Sequence, residues 1–241
     1  MLVVENLRID AGRTRIVDGV SFEIPTGRRV GLLGASGSGK SSIASALVGY
    51  LPPGITCSGR VIVDGHDVAG VPTPRRPRTA RPAMVFQDSA TALNPTVTVG
   101  KQLRTPDAAA LLARVGLHDT ARVLVSHPLE LSGGQRQRVC IAVALARESS
   151  LVIADEPTTA LDVLSQARVL DALRQVPSLL LITHDIAVAA QLCDHLLVLD
   201  SGRIIESGAT ATVLKNPCSD RTRQMIDVAR AADPFRQLVA S

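Results

Sequence analysis

A chain of 241 residues with 46% hydrophobic and 20% charged residues has the size and composition of one globular domain, which excludes a disordered chain and a small disulfide scaffold. The net charge of +4 is mild, and only Lys40, Lys101 and Lys215 among the 26 basic residues are lysines, an arginine bias that with abundant alanine points to a GC-rich bacterial genome. Aromatics are 2%, namely Phe22, Tyr50, Phe86 and Phe235, too few to stack exposed bases, so no nucleic-acid partner is expected. In chain order, LVVENLRI and VDGVSFEI read as strands separated by the turn-like DAGRTR. RRVGLLG is a short apolar strand, and ASGSGKSSIASALVGYL comes after it as a glycine-rich turn and a helix. RVIVDG continues the strand pattern, and residues 71–82 form a Pro- and Arg-rich loop whose basic run, Arg75 to Arg81, reads as solvated. From Asp88 to Ala146 the apolar spacing is helical, in LNPTVTVGKQL, PDAAALLARVGL and GGQRQRVCIAVALARE. Strand–helix alternation then resumes with LVIADE, LSQARVLDALRQV, SLLLITH and IAVAAQLC. HLLVLDSGRIIESG predicts a hairpin turning at Ser201 and Gly202, and a helical tail starts at Ala209. The expected architecture is α/β, a mainly parallel core interrupted by a helical insert.

Cys57, Cys140, Cys193 and Cys218 are far apart without clustered histidines, which gives a zinc site no support and predicts reduced thiols. MLVVENLRI lacks the basic-then-apolar pattern of a secretory leader, and no apolar run reaches the ~18 residues of a membrane span. The expectation is a cytosolic chain whose membrane role, if it has one, is peripheral.

Gly34, Ala35, Ser36, Gly37, Ser38, Gly39, Lys40 and Ser41 match G-x-x-x-x-G-K-[ST], with Ser42 next on the helix. Such glycines let successive backbone N–H groups converge on phosphate oxygens, and the helix adds its positive N-terminal end. Lys40 supplies a compact charge for the β- and γ-phosphates, and Ser41 a hydroxyl for Mg²⁺. The strand Leu151–Glu156 carries two carboxylates at its C-terminal end, the edge where open α/β sheets bind ligands. Asp155 is placed to hold Mg²⁺ and Glu156 to polarise the attacking water. These features alone predict a Mg²⁺-dependent nucleoside triphosphate hydrolase.

Leu131, Ser132, Gly133, Gly134 and Gln135 open a helix whose first amides form a second anion site. With two phosphate-binding segments, the sequence resembles the ATP-binding cassette (ABC) ATPases, from Met1 to about Ala231. The resemblance implies a P-loop cassette with a mainly parallel core, an N-terminal antiparallel β subdomain and an inserted α-helical subdomain. It divides one domain, 1–241, into a nucleotide-binding core (1–87 and 147–208), a helical signature subdomain (88–146) and a C-terminal helical tail (209–241). It also implies that ATP with Mg²⁺ lies between the phosphate loop of one cassette and the signature of a second. By the same resemblance Gln87 contacts Mg²⁺ and senses the membrane partner, Asp162 crosses the dimer interface, and His184 sits near the γ-phosphate.

FQDSATALNPTVTVG, ADEPTTALDVLSQARVLDAL and the Leu51-Pro-Pro-Gly stretch resemble importers of dipeptides, oligopeptides and nickel. The implied partners are two transmembrane permeases, a second and different ABC ATPase, and an extracytoplasmic substrate-binding protein, with this chain peripheral at the cytoplasmic face of the bacterial cell membrane. The short tail favours a nickel-type or compact peptide-type member. Competing readings are an exporter ATPase, a soluble ABC ATPase acting on DNA or ribosomes, and a catalytically silent cassette, the last opposed by intact Lys40, Glu156 and His184. The chain also departs from the family pattern near the phosphate loop: cassettes usually carry an aromatic ring before that loop to stack on adenine, and Asp10-Ala11-Gly12 has none. The expectation is that adenine is held loosely, or that Arg13 or Arg15 stacks on it instead.

Overall fold

The computed structural model describes residues 1–159 and 161–232, without the side chains of residues 90, 91 and 232; the last nine residues of the expected tail lie outside the described residues. Two sheets carry the fold. β1 (Leu2–Ala11), β2 (Thr14–Ile24), β4 (Ile55–Val63) and β5 (His66–Asp67) form an antiparallel sheet in the order β2-β1-β4-β5. Leu2, Val4, Leu7 and Ile9 of β1 are buried between more exposed neighbours, the period-two pattern of a strand with one face covered.

The second sheet is ordered β10-β9-β3-β8-β7-β6, from β3 (Arg29–Leu33), β6 (Ala83–Val85), β7 (Val152–Asp155), β8 (Leu179–Thr183), β9 (His195–Asp200) and β10 (Arg203–Ala209). All its pairings are parallel except the β9–β10 hairpin, which turns at Ser201 and Gly202 with positive φ as expected. β7 and β8 are buried at every residue, which is why they read as unbroken apolar runs rather than alternating ones.

Strand register brings the motif residues to one edge. Leu33 aligns with Thr183, Ile182 with Asp155, and Ala154 with Val85. Four strands therefore end together and release Gly34, Gln87, Glu156 and His184 there.

Helices flank this sheet. α1 (Lys40–Val48) comes after β3, and α2 (Ser89–Ala92), α3 (Val99–Leu103), α4 (Ala108–Arg114), α5 (Thr120–Val125) and α6 (Gly133–Leu145) lie between β6 and β7. α7 (Val163–Arg174), α8 (Ile186–Leu192), α9 (Thr210–Lys215) and α10 (Asp220–Ala232) complete the chain. The insert is more broken than its helical spacing predicts. Asn94 Oδ1 accepts from Thr96 N at 3.0 Å and Thr96 Oγ1 at 2.8 Å, closing a turn around Pro95 that delays the helix until Val99.

The basic loop also departs from expectation. Arg76 is 2% exposed, buried beneath α1, while Arg75 and Arg78 stay exposed. Cys140 and Cys193 are buried thiols, and burial pushes both up to about 12, where they are inert.

Candidate nucleotide site

The loop between β3 and α1 is built on glycine. Gly37 and Gly39 have φ of +80° and +107°, backbone that side chains rarely adopt. A Cβ on Gly34 would strike the Leu199 carbonyl and lie 2.7 Å from Ser38 Oγ. Lys40 Nζ donates to the carbonyls of Gly34 and Ala35, each at 2.8 Å, so the loop is closed on its own ammonium. Burial lowers the Lys40 pKa, and the charges of Glu156 and Asp155 oppose that shift.

A cleft of about 790 Å³ opens above this loop. Ala35, Ser36, Gly37, Gly39, Lys40, Ser41 and Ser42 line it together with Gln87, Asp155, Glu156 and His184. Residues as distant in the chain as Ala35 and His184 thus share one cavity because their strands end together.

Glu156 is the most constrained of them. It is 8% exposed and its φ is +47°, a strained value for a residue with a side chain. Its Oε1 accepts from His184 N at 3.0 Å and lies 2.7 Å from His184 Nδ1. Its Oε2 accepts from Thr159 and Thr183 hydroxyls, each at 3.3 Å. The His184 side chain is 68% exposed, so its imidazole reaches outward from a buried carboxylate.

Asp155 is buried, and its pKa is raised by that burial, with the nearby Glu156 charge adding to it and a Ser41 hydrogen bond and Lys40 opposing. Its Oδ1 is buried without a hydrogen-bond partner. An orphaned carboxylate oxygen beside a serine hydroxyl, at the mouth of a phosphate loop, fits Mg²⁺. Among the described residues no cluster of three or more His, Cys, Asp or Glu could hold a metal alone, so the remaining ligands would be phosphate oxygens and water.

The signature segment lies apart from the cleft. Ser132, Gly133, Gly134 and Gln135 do not line it, and neither does Asp162. Ser132 caps α6: its Oγ accepts from Gln135 N at 3.2 Å, and Gln135 Oε1 accepts from Ser132 N at 3.0 Å. Asp162 caps α7 through Ser165 N at 2.9 Å and Ser165 Oγ at 2.7 Å, and those bonds lower its pKa. Arg136 donates to the carbonyl of Leu131, and Arg138 to those of Gly134 and Gly116.

On the base side the expected arginines are displaced. Arg15 is held by Asp10 at 3.0 Å and Asp18 at 3.2 Å, and neither Arg13 nor Arg15 lines the cleft. Ile16 lines it instead. No local sequence signal marks Ile16; it arrives there because β2 passes beside Gly39. Thr159 and Thr183 carry no such signal either, though each sits within three residues of a motif residue.

The fold and this cleft define an ATP-binding cassette. The chain belongs to the ABC transporter family, whose profile matches residues 17–159. It is 41% identical over 251 residues to a probable D,D-dipeptide transport ATP-binding protein of Escherichia coli K12, covering 95% of this chain and 76% of that protein. It is 40% identical over 232 residues to a nickel import ATP-binding protein of Rhodospirillum rubrum, covering 88% of this chain and 87% of the relative. Among solved structures, an ATP-bound bacterial Atm1-family ABC exporter superposes with a TM-score of 0.81 at 30% identity, over 96% of this chain and 42% of the exporter chain. A dimeric ATP-binding cassette in a post-hydrolysis state with ADP and phosphate superposes at 0.73 with 26% identity, over 87% of this chain and 99% of that one.

Proposed function

We propose that this chain is the ATP-hydrolysing subunit of an ABC importer for dipeptides, oligopeptides, nickel or metal chelates, peripheral at the cytoplasmic face of the bacterial cell membrane. The observation that carries this reading is the convergence of Lys40, Ser41, Gln87, Asp155, Glu156 and His184 on one cleft. In the bound state Lys40 leaves the Gly34 and Ala35 carbonyls for the β- and γ-phosphates. Ser41, Asp155 and Gln87 would hold Mg²⁺, which when bound neutralises developing phosphate charge. Glu156 accepts the proton of the attacking water, and His184 orients the γ-phosphate and that water. Catalysis here is positioning and charge stabilisation.

The signature completes the site of a second cassette. Ser132 and the amides of Gly133 and Gly134 meet the partner's phosphates, and Asp162 stands at the interface. Val163 and Leu164, 82% and 73% exposed directly after Asp162, support a surface covered by another chain. Permeases dock on the insert from Gln87 to Leu131, where the apolar side chains of Val125 and Leu129 are exposed, next to exposed Phe86 just before it. Among the described residues no helix is long and apolar enough to cross a membrane. The favoured assembly pairs this chain with a different ATPase and two permeases, served by an extracytoplasmic binding protein.

Glu156→Gln tests the chemistry. It lowers turnover about 10²- to 10⁴-fold while preserving ATP binding; retained hydrolysis would remove Glu156 from its role. The exporter likeness favours a second reading, efflux. Identification of the proteins that co-purify from gently solubilised membranes separates them: an importer yields permeases, a second cassette and binding-protein dependence, while an efflux complex is stimulated without a binding protein.

A further inference from the structure

Glu156 has four donors around one carboxylate, and two come from threonine side chains, Thr183 and Thr159, to which no sequence motif gives a role. Thr183 ends β8 and is 2% exposed. Thr159 lies in the turn leaving β7 and is exposed. Their hydroxyls reach the same oxygen, Glu156 Oε2, from two segments of the chain, each at 3.3 Å.

The direction of the Thr183 bond is fixed by the carboxylate, which when ionised can only accept, so the hydroxyl gives its one proton to Glu156 Oε2. Thr183 Oγ1 in turn accepts from Asp185 N at 3.0 Å. Asp185 is itself anchored, since its Oδ1 accepts from Ala187 N at 2.8 Å and Val188 N at 3.2 Å at the start of α8. A chain of bonds therefore runs from the capped helix through Asp185 and Thr183 to Glu156. Strain at Glu156 makes such support necessary, because a non-glycine residue at φ +47° persists only where its surroundings over-determine it.

We propose that Thr183 is a positioning residue for ATP hydrolysis, with Thr159 as its partner: the two hydroxyls hold Glu156 Oε2 so that the carboxylate meets the attacking water in a single orientation. The proposal rests on the reading of Glu156 as the general base. In that step the water oxygen bonds to the γ-phosphorus while Glu156 takes one of its protons. The bond from the γ-phosphorus to the bridging oxygen breaks, and ADP leaves with the electron pair. Neither threonine gains or loses a proton.

The experiment measures turnover against ATP concentration, and equilibrium Mg-ATP binding separately, on the full-length chain with its co-purifying partners. Variants are Thr183→Val, Thr183→Ser, Thr159→Val and Glu156→Gln. Valine keeps the shape of threonine and removes the hydroxyl; serine keeps the hydroxyl and removes the methyl. Thr183→Val is expected to lower kcat about tenfold with Kd changed less than about twofold. Thr183→Ser restores kcat to within about threefold of wild type, and exposed Thr159→Val, which leaves the core untouched, lowers kcat about threefold. Wild-type kcat in Thr183→Val beside an inactive Glu156→Gln overturns the proposal alone. So does a serine variant as slow as the valine one, which would assign the effect to methyl packing, and so does a Kd that worsens in step with kcat. Should Thr183→Val fail to fold, unchanged kcat in Thr159→Val decides against the proposal. An active Glu156→Gln instead overturns the underlying base assignment, and the proposal with it.

Discussion

Arg76 is a buried cation met by carbonyl oxygens. Its guanidinium donates to Val71 O at 2.7 Å, Ala46 O at 3.1 Å, Val68 O at 3.2 Å and to Leu47 O. Two of these are carbonyls in the last turn of α1, at the negative end of the helix dipole, and Ala46 O also accepts from the capping Gly49 N at 3.2 Å. Thr73 Oγ1 takes the next one, Val48 O. Gly49 is what lets the fork in: it has φ +76°, and a Cβ there would sit 2.6 Å from Arg76 Nη2. Burial lowers the Arg76 pKa, yet arginine stays charged at any physiological pH. Ala46 O and Val68 O keep the Gly49 and Val71 amides as donors, but removing Arg76 takes its bonds from the Leu47 and Val71 carbonyls, so Arg76→Met is expected to cost about 3 kcal/mol in denaturant unfolding. Arg76→Lys recovers part of that, since an ammonium cannot span four carbonyls. A cost below about 1 kcal/mol would show that water replaces the guanidinium. This residue was not legible in the sequence. Arg75, Arg76, Arg78 and Arg81 share one proline-broken loop, and only the depth at which the chain passes under α1 distinguishes them. Lys40, Glu156 and His184 were legible because each combines a reactive side chain with a fixed offset from a strand end. Ile16 and Thr183 were not, because their place depends on register between distant strands.

At the scale of elements, β3, β7 and β8 could be read directly as buried runs, and their chemistry sits on the residue just beyond each one. The insert was less legible, since α2 to α5 span four to seven residues each and their spacing alone does not reveal the turns at Pro95 and Gly116. The C-terminal helix is held by a device that composition hides. Glu206 of β10, 8% exposed, accepts from Cys218 N at 2.7 Å and Ser219 N at 3.0 Å, just before α10. Burial alone pushes the Glu206 pKa up, but hydrogen bonds from Thr222, Cys218 and Ser219 together outweigh it and leave it lowered. A carboxylate lowered in the folded state stabilises the fold above its unfolded pKa, about 4.3, and loses that contribution as pH falls through the lower folded value. Amide exchange in α10, corrected for the intrinsic pH effect, should therefore lose protection on acidification below about pH 4.3, ahead of the central sheet. Glu206→Gln should cost about 2 kcal/mol and flatten that dependence. Equal protection of α10 in both proteins across this range would rule the anchor out.

For the whole molecule, the decisive feature is that the two segments to which the proposed function gives phosphate contacts lie in separate places. The loop around Lys40 lines the cleft, while Ser132 caps α6 outside it. In the proposed assembly each complete site takes its loop from one cassette and its signature from the other. This arrangement makes two single substitutions informative about the assembly. In a pair of different cassettes, Lys40→Ala disables the site that uses this chain's loop, and Ser132→Arg disables the other site, which uses this chain's signature. Each variant then leaves one site intact and retains about half the turnover if the sites act independently, while the double variant is inactive. In a symmetric pair of this chain, either single substitution enters both sites, and both single variants fall to the level of the double. The heteromer predicts the first pattern in the complex purified with its permeases. Single variants as inactive as the double would instead make this chain its own partner, and would leave the chemistry at Glu156 unchanged.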